Sequence, residues 1–120
     1  FVKTMILKAR EKEEIRVVED QIGSPTYTND LAKKINELIV LDAEPGVYHI
    51  TNSGHCSWYE FANKILEFSK IESAPIPIKT SESGTKIKRP QNSILENKRL
   101  KEINVPVLRN WQEALIDYIK

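Results

Sequence analysis

The chain has 120 residues, 40% of them hydrophobic, with 18 basic and 17 acidic side chains for a formal net charge of +1, and one cysteine. That length supports one modest core and a single unit, and the near-neutral charge argues against general binding of nucleic acid or other polyanions. No apolar run approaches the roughly 18 residues that cross a bilayer, and the lone Cys56 excludes an internal disulfide and suits a reducing cytoplasm.

In chain order, Val2, Met5, Ile6 and Ala9 recur at helical spacing, which predicts an amphipathic helix over the first dozen residues with its cap further upstream. Lysines inside this stretch argue against a cleaved secretory signal, and a start without methionine fits either truncation at a domain boundary or processing. Residues 15–19 form a short β-favouring run that leads into a turn-rich loop over 21–25. Leu31, Ala32, Ile35, Leu38 and Ile39 mark one face of a second helix, with Thr28 or Asn29 as N-cap and Asp30 favourably placed against the helix dipole. Residues 47–51 alternate and are β-branched, so they read as a strand.

Ser57 and Glu60 have the spacing of a capping box, and Cys56 with Phe61 that of a hydrophobic staple, ahead of a helix carrying Trp58, Phe61, Ala62, Ile65 and Phe68 or Ser69 on one flank. The prolines of Ala74-Pro75-Ile76-Pro77-Ile78 restrict that segment to a sheet edge. A polar loop with Gly84 covers residues 80–88. Ser93 with Glu96, and Asn110 with Glu113, repeat the capping-box spacing before Leu100 and Ile103 and before Trp111, Ala114, Leu115 and Tyr118. Helices interleaved with short strands predict an α/β chain, or α+β as an isolated fragment, whose strands pair with a partner outside it.

Several separated motifs occur together. Asp20-Gln21-Ile22-Gly23-Ser24-Pro25-Thr26-Tyr27-Thr28-Asn29-Asp30-Leu31-Ala32 is followed by Thr51-Asn52-Ser53-Gly54, by Ser57-Trp58-Tyr59-Glu60-Phe61-Ala62, by Arg89-Pro90 and by Trp111-Gln112-Glu113-Ala114-Leu115. In this order they resemble the C-terminal part of the dTDP-4-dehydrorhamnose reductases, a family of extended short-chain dehydrogenases, from Phe1 to the final helix. The glycines at 23, 46, 54 and 84 cannot form a dinucleotide fingerprint, and no tyrosine is followed four residues later by lysine: Tyr27 meets Leu31, Tyr48 meets Asn52 and Tyr59 meets Asn63.

The resemblance therefore implies the C-terminal portion of a Rossmann-type fold, residues 1–120 forming a single, mostly substrate-binding lobe, with the dinucleotide-binding region and the catalytic tyrosine and lysine upstream. It implies NADPH, or NADH, bound mainly by that absent region. It further implies a dTDP-sugar substrate, the missing N-terminal half as partner, room for a homodimer, a cytoplasmic setting, and no membrane or nucleic-acid partner. Magnesium stabilises some family members through carboxylates, but no ligand for it is assignable here.

Among residues that could contact substrate, Arg89 stands first, because a guanidinium presents a planar fork of donors to phosphate oxygens and Pro90 fixes the backbone beside it. Related sugar-nucleotide enzymes place such an Arg-Pro pair at the diphosphate. Gly23 and Pro25 have two readings: they simply make the chain turn, or they also set Gln21, Ser24 and Thr26 against a sugar or base. Phe1 and Val2 match a helix start that approaches the nucleotide base in relatives, although a core face accounts for them too. The second arginine that assists the diphosphate in related epimerases has no counterpart between Arg16 and Arg89.

His49 and His55 lack neighbours at metal-ligand spacing, Cys56 lacks an activating base, and Trp58, Trp111, Tyr59 and Tyr118 sit at core spacing as hydrophobic anchors. Two other functions compete: a non-catalytic homologue that regulates methionine adenosyltransferase, and a nucleic-acid module using Lys86, Lys88, Arg89, Lys98, Arg99 and Lys101.

Overall fold

The computed structural model describes residues 1–120. Helices α1 (Val2–Arg10), α2 (Thr28–Val40), α3 (Trp58–Phe68), α4 (Lys98–Glu102) and α5 (Trp111–Ile119) alternate with short strands β1 (Arg16–Val18), β2 (Ile22–Gly23), β3 (Asn52–Ser53), β4 (Cys56–Ser57), β5 (Ile76–Ile78) and β6 (Leu108–Asn110). A 3-10 turn covers Thr80–Glu82. The chain divides into two compact units, one of Phe1–Gly23, Cys56–Ser93 and Ile119, the other of Ser24–His55, Ile94–Tyr118 and Lys120.

In the first unit β1 runs parallel to β5, with Arg16 opposite Ile76 and Val18 opposite Ile78. Pro77 is tolerated because β5 has a neighbour on one side only, as its prolines predicted. β2 and β4 pair antiparallel. The core is built where α3 packs on α1 and β1, burying Phe61, Ala62, Ile65 and Leu66 with Met5, Ala9, Ile15, Val17 and Ile78. At the start of α3 the predicted capping box is closed: Glu60 N donates to Ser57 Oγ at 3.1 Å and Ser57 N donates to Glu60 Oε2 at 2.6 Å. Trp58 departs from its expected anchoring role. As the first residue of α3 it lies off the inward flank and is 41% exposed.

In the second unit β3 and β6 pair in parallel with an irregularity between Asn52 and Ser53, and Leu38, Leu100 and Val105 form a core flanked by Ala43, Tyr48 and Ile50. Asn110 caps α5, but by accepting from Gln112 N at 2.8 Å rather than through the expected box with Glu113, and Trp111, Ala114 and Leu115 are buried. Tyr118 is instead exposed, its ring edge-on to Tyr27. Residues 47–51 do not form the expected strand. Asn97 takes the place of a strand neighbour there, accepting from Thr51 N at 3.0 Å and donating through Nδ2 to Thr51 O at 3.1 Å, so pairing starts only at Asn52.

The same diversion moves a helix start. α4 begins at Lys98 with Asn97 before it, not after a Ser93–Glu96 box, and Ser93 donates to Ile22 O in the first unit. For α2 the N-cap is Tyr27 rather than Thr28 or Asn29, its amide held by Asn52 Oδ1 at 2.8 Å, a distant acceptor in place of a local one. α2 also turns Asp30, Lys34 and Leu38 inward, while Ile35 and Ile39 are 46% and 71% exposed. Asp30 fixes that rotation, because Asn52 and Arg109 both bond its carboxylate.

Helices α1, α2, α3 and α4 end alike. After each, a non-glycine residue adopts left-handed φ: Lys12, Asp42, Lys70 and Asn104. The amide one residue further returns to the helix, from Glu13 to Lys8 O, Ala43 to Leu38 O, Ile71 to Leu66 O and Val105 to Leu100 O. This closure satisfies carbonyls that the helix itself leaves open, and in the second unit it seats Ala43 and Val105 against the core leucines.

Candidate functional site

In the first unit an open cleft of about 540 Å³ runs along the Phe1 end of α1, β1, the Trp58 end of α3 and the loop that follows β5. Its aromatic wall is preassembled. The Phe1 ring lies 4.8 Å from that of Trp58 and stacks on that of Phe61 at 5.7 Å, while Phe1 and Trp58 remain 47% and 41% exposed. Open ring faces beside polar groups suit a planar base or the apolar face of a sugar.

Gln21 braces the adjoining wall. Its side chain is buried and donates through Nε2 to Thr80 Oγ1 at 3.1 Å, and its carbonyl accepts from Trp58 N at 3.3 Å. Asp20 takes Thr80 from the other side, accepting from its amide at 3.0 and 3.1 Å and from its hydroxyl at 2.6 Å. Those bonds, the hydroxyl's first, hold the Asp20 carboxyl below its usual range.

Arg89 lines the same cleft and is exposed. The chain just beyond it is pinned to β2, with Ile22 N donating to Gln91 O at 2.7 Å and Ser93 N to Ile22 O at 2.9 Å. Gly23 permits that crossing, since a Cβ there would stand 2.8 Å from Ser93 Oγ.

Of the residues singled out from sequence, the fold thus brings Phe1, Gln21 and Arg89 to one cleft. Val2 is half-buried on α1. Ser24 and Thr26 belong to the second unit, where Ser24 Oγ donates to Gly54 O at 2.9 Å and Thr26 Oγ1 to Ser24 O at 3.0 Å, holding the turn. Trp58 and Arg16 also line the cleft without having been singled out for binding. Trp58 carried a signal in its place at the first position of a capped helix, where a side chain need not face the core. Arg16 carried only its alternation with Val17.

A second opening, about 760 Å³ in the other unit, is lined chiefly by Leu31, Ile35, Leu38, Ile39, Tyr48 and Ile50 and lacks a comparable set of convergent donors. Cys56 is buried, and burial first, then the Glu60 charge, pushes its thiol up to about 12. It packs as a small apolar residue, as expected. His49 and His55 are exposed, and no group of three or more His, Cys, Asp or Glu side chains is gathered as a metal site would need. Part of the basic cluster is occupied internally: Lys98 pairs with Glu102, Lys101 with Glu96, and Arg99 lies over the Tyr48 ring while bonding Pro45 O.

The sequence profile described as RmlD substrate binding domain matches residues 1–120. The chain belongs to this family. The spore coat polysaccharide biosynthesis protein SpsK of Bacillus subtilis (strain 168) is 48% identical over 120 residues, covering 100% of this chain and 41% of that protein. A dTDP-4-dehydrorhamnose reductase of Burkholderia thailandensis is 34% identical over 131 residues, covering 96% of this chain and 44% of that protein. The crystal structure of dTDP-4-dehydrorhamnose reductase from Bacillus anthracis in complex with NADP superimposes with a TM-score of 0.94 at 43% identity, covering 98% of this chain and 42% of that one.

This chain of the RmlD substrate binding domain family thus spans less than half the length of these relatives. The mixed helix and strand fold bears out the expected relation to the Rossmann-like reductases. No helix is long and apolar enough to cross a membrane.

Proposed function

We propose that residues 1–120 form the sugar-nucleotide-binding lobe, a single C-terminal portion, of a dTDP-4-dehydrorhamnose reductase that reduces the C4 ketone of dTDP-4-dehydro-L-rhamnose with NADPH to give dTDP-L-rhamnose. The observation that carries this reading is the cleft of the first unit, lined together by the partly exposed rings of Phe1 and Trp58, by Arg89 and by the braced Gln21. Those groups match the parts of a nucleoside diphosphate sugar: rings for the base, a fork of donors for phosphate oxygens, and a fixed wall for orientation. Ser24 and Thr26 hold a turn of the second unit, and Val2 is the first residue of α1 beside Phe1. The residues contribute proximity rather than proton transfer.

The cofactor belongs to another part of the enzyme. Gly23 lies in β2 beside Ser93, Gly46 adjoins Arg99, Gly54 adjoins Trp111 and Gly84 stands in open space, so these glycines are not gathered into one loop. No step of hydride transfer is therefore assigned to this chain. The exposed apolar faces of Ile35, Ile39 and Val47 are consistent with burial against the enzyme's remaining half. A cytoplasmic, homodimeric enzyme fits the same reading.

Purified full-length protein should oxidise NADPH in the presence of dTDP-4-dehydro-L-rhamnose, with dTDP-L-rhamnose as product. A full-length protein that is inactive on this sugar but binds methionine adenosyltransferase would replace the reductase by the regulatory homologue, which the reductase names of the relatives do not favour.

A further inference from the structure

We infer that Arg16 is a second cation of the cleft and contacts the diphosphate together with Arg89; this rests on the reading of the cleft as a sugar-nucleotide site. Side chains alternate along a strand, and β1 buries Val17 while leaving Arg16 exposed at the cleft. The strand under it is fixed: Arg16 stands opposite Ile76, Ile76 N donates to Ile15 O at 2.8 Å, and Glu19 N donates to Ile78 O at 3.0 Å.

The neighbouring carboxylates have other partners. Glu19 pairs with Lys79 at 2.8 Å, Asp20 holds Thr80, and Glu82 accepts from Lys79 N at 2.7 Å. Neither Arg16 nor Arg89 enters any ion pair of the chain. Each of these two guanidiniums on one cleft is open to an anion, and a sugar-linked diphosphate brings one negative charge on each phosphate, one for each fork of donors. Sequence offers no second arginine between positions 16 and 89; the β1–β5 pairing brings Arg16 itself to the cleft.

The test uses the intact enzyme and titrates wild type, Arg16→Ala, Arg16→Lys, Arg89→Ala and the Arg16→Ala/Arg89→Ala double variant with dTDP, dTMP and thymidine. The inference expects Arg16→Ala to weaken dTDP binding about 10-fold, to narrow the preference for dTDP over dTMP, and to leave thymidine unchanged. Arg16→Lys should recover part of the loss, and the double variant should show coupling between the two positions. Should Arg16→Ala fail to fold, by near-ultraviolet circular dichroism, Arg16→Lys and Arg16→Gln carry the same comparison. Equal dTDP affinity in wild type and folded Arg16 variants, with Arg89→Ala impaired, overturns the role of Arg16 and leaves the cleft reading standing. Absence of dTDP binding to wild type overturns both.

Discussion

Arg109 grips Asp30 with two parallel bonds, Nε to Oδ2 at 2.8 Å and Nη2 to Oδ1 at 2.9 Å, and uses its third nitrogen on Asp117. Asn52 Nδ2 adds a further bond to Asp30 at 3.0 Å. The Arg109 bonds, opposed by burial, hold the Asp30 carboxyl below its usual range. A depressed folded value means that the stabilisation is present above the unfolded carboxylate value of about 3.9 and is lost as pH falls through the lower folded one. Denaturant midpoints of the intact protein should therefore fall in acid, and Asp30→Asn should lower the midpoint at pH 7 and flatten that fall. Arg109→Lys should not restore the wild-type midpoint, since an ammonium cannot reproduce the fork. Unchanged midpoints in both variants would show that the fork does not stabilise the second unit.

Ser57→Ala removes the acceptor for Glu60 N and leaves Ser57's own amide bond to Glu60 without its reciprocal partner. The expected cost is about 0.5–2 kcal/mol, read from the denaturation midpoint at constant slope. No shift would mean that water replaces the cap.

Lys70 sits at φ 54° after α3, a conformation that strains a side chain bearing Cβ. Lys70→Gly relieves that strain and gives back part of the gain through the more flexible unfolded chain, so stability should rise by up to about 1 kcal/mol. Destabilisation in thermal or denaturant unfolding would show that Lys70 contributes contacts that outweigh its strain.

Arg89→Ala in the intact enzyme should weaken dTDP-sugar binding by about 10-fold to 150-fold while leaving NADPH binding near wild type. Separate titrations with dTDP and NADPH measure it. Equal dTDP affinities would make Arg89 a solvated surface charge of the basic run 86–89 instead.

Cys56 should resist alkylation in the folded protein at pH 8, because a thiol raised to about 12 stays protonated there and the thiolate is the nucleophile. Rapid labelling by iodoacetamide under native conditions would contradict its burial. Labelling should become rapid in denaturant.

What the sequence determined by itself is chiefly what depends on residues within about four positions of one another. The spacing of Met5 and Ala9, the Ser57–Glu60 box, the Asn110 cap and the proline-limited strand at Ile76–Ile78 were legible because the interacting groups are neighbours along the chain. The order of separated motifs likewise carried the family. Partner choice across long separations belonged to the tertiary structure. Asn52 supplies the acceptor at the start of α2 and helps rotate its Asp30 side inward, and Asn97 meets Thr51 where a strand partner was expected. Propensity can state that residues 47–51 favour extension, but a strand exists only where a second backbone supplies donors and acceptors. For the same reason Arg89 could be singled out beside Pro90, whereas Arg16, Trp58 and Phe1 became parts of one cleft only when β1 paired with β5 and α3 packed on α1.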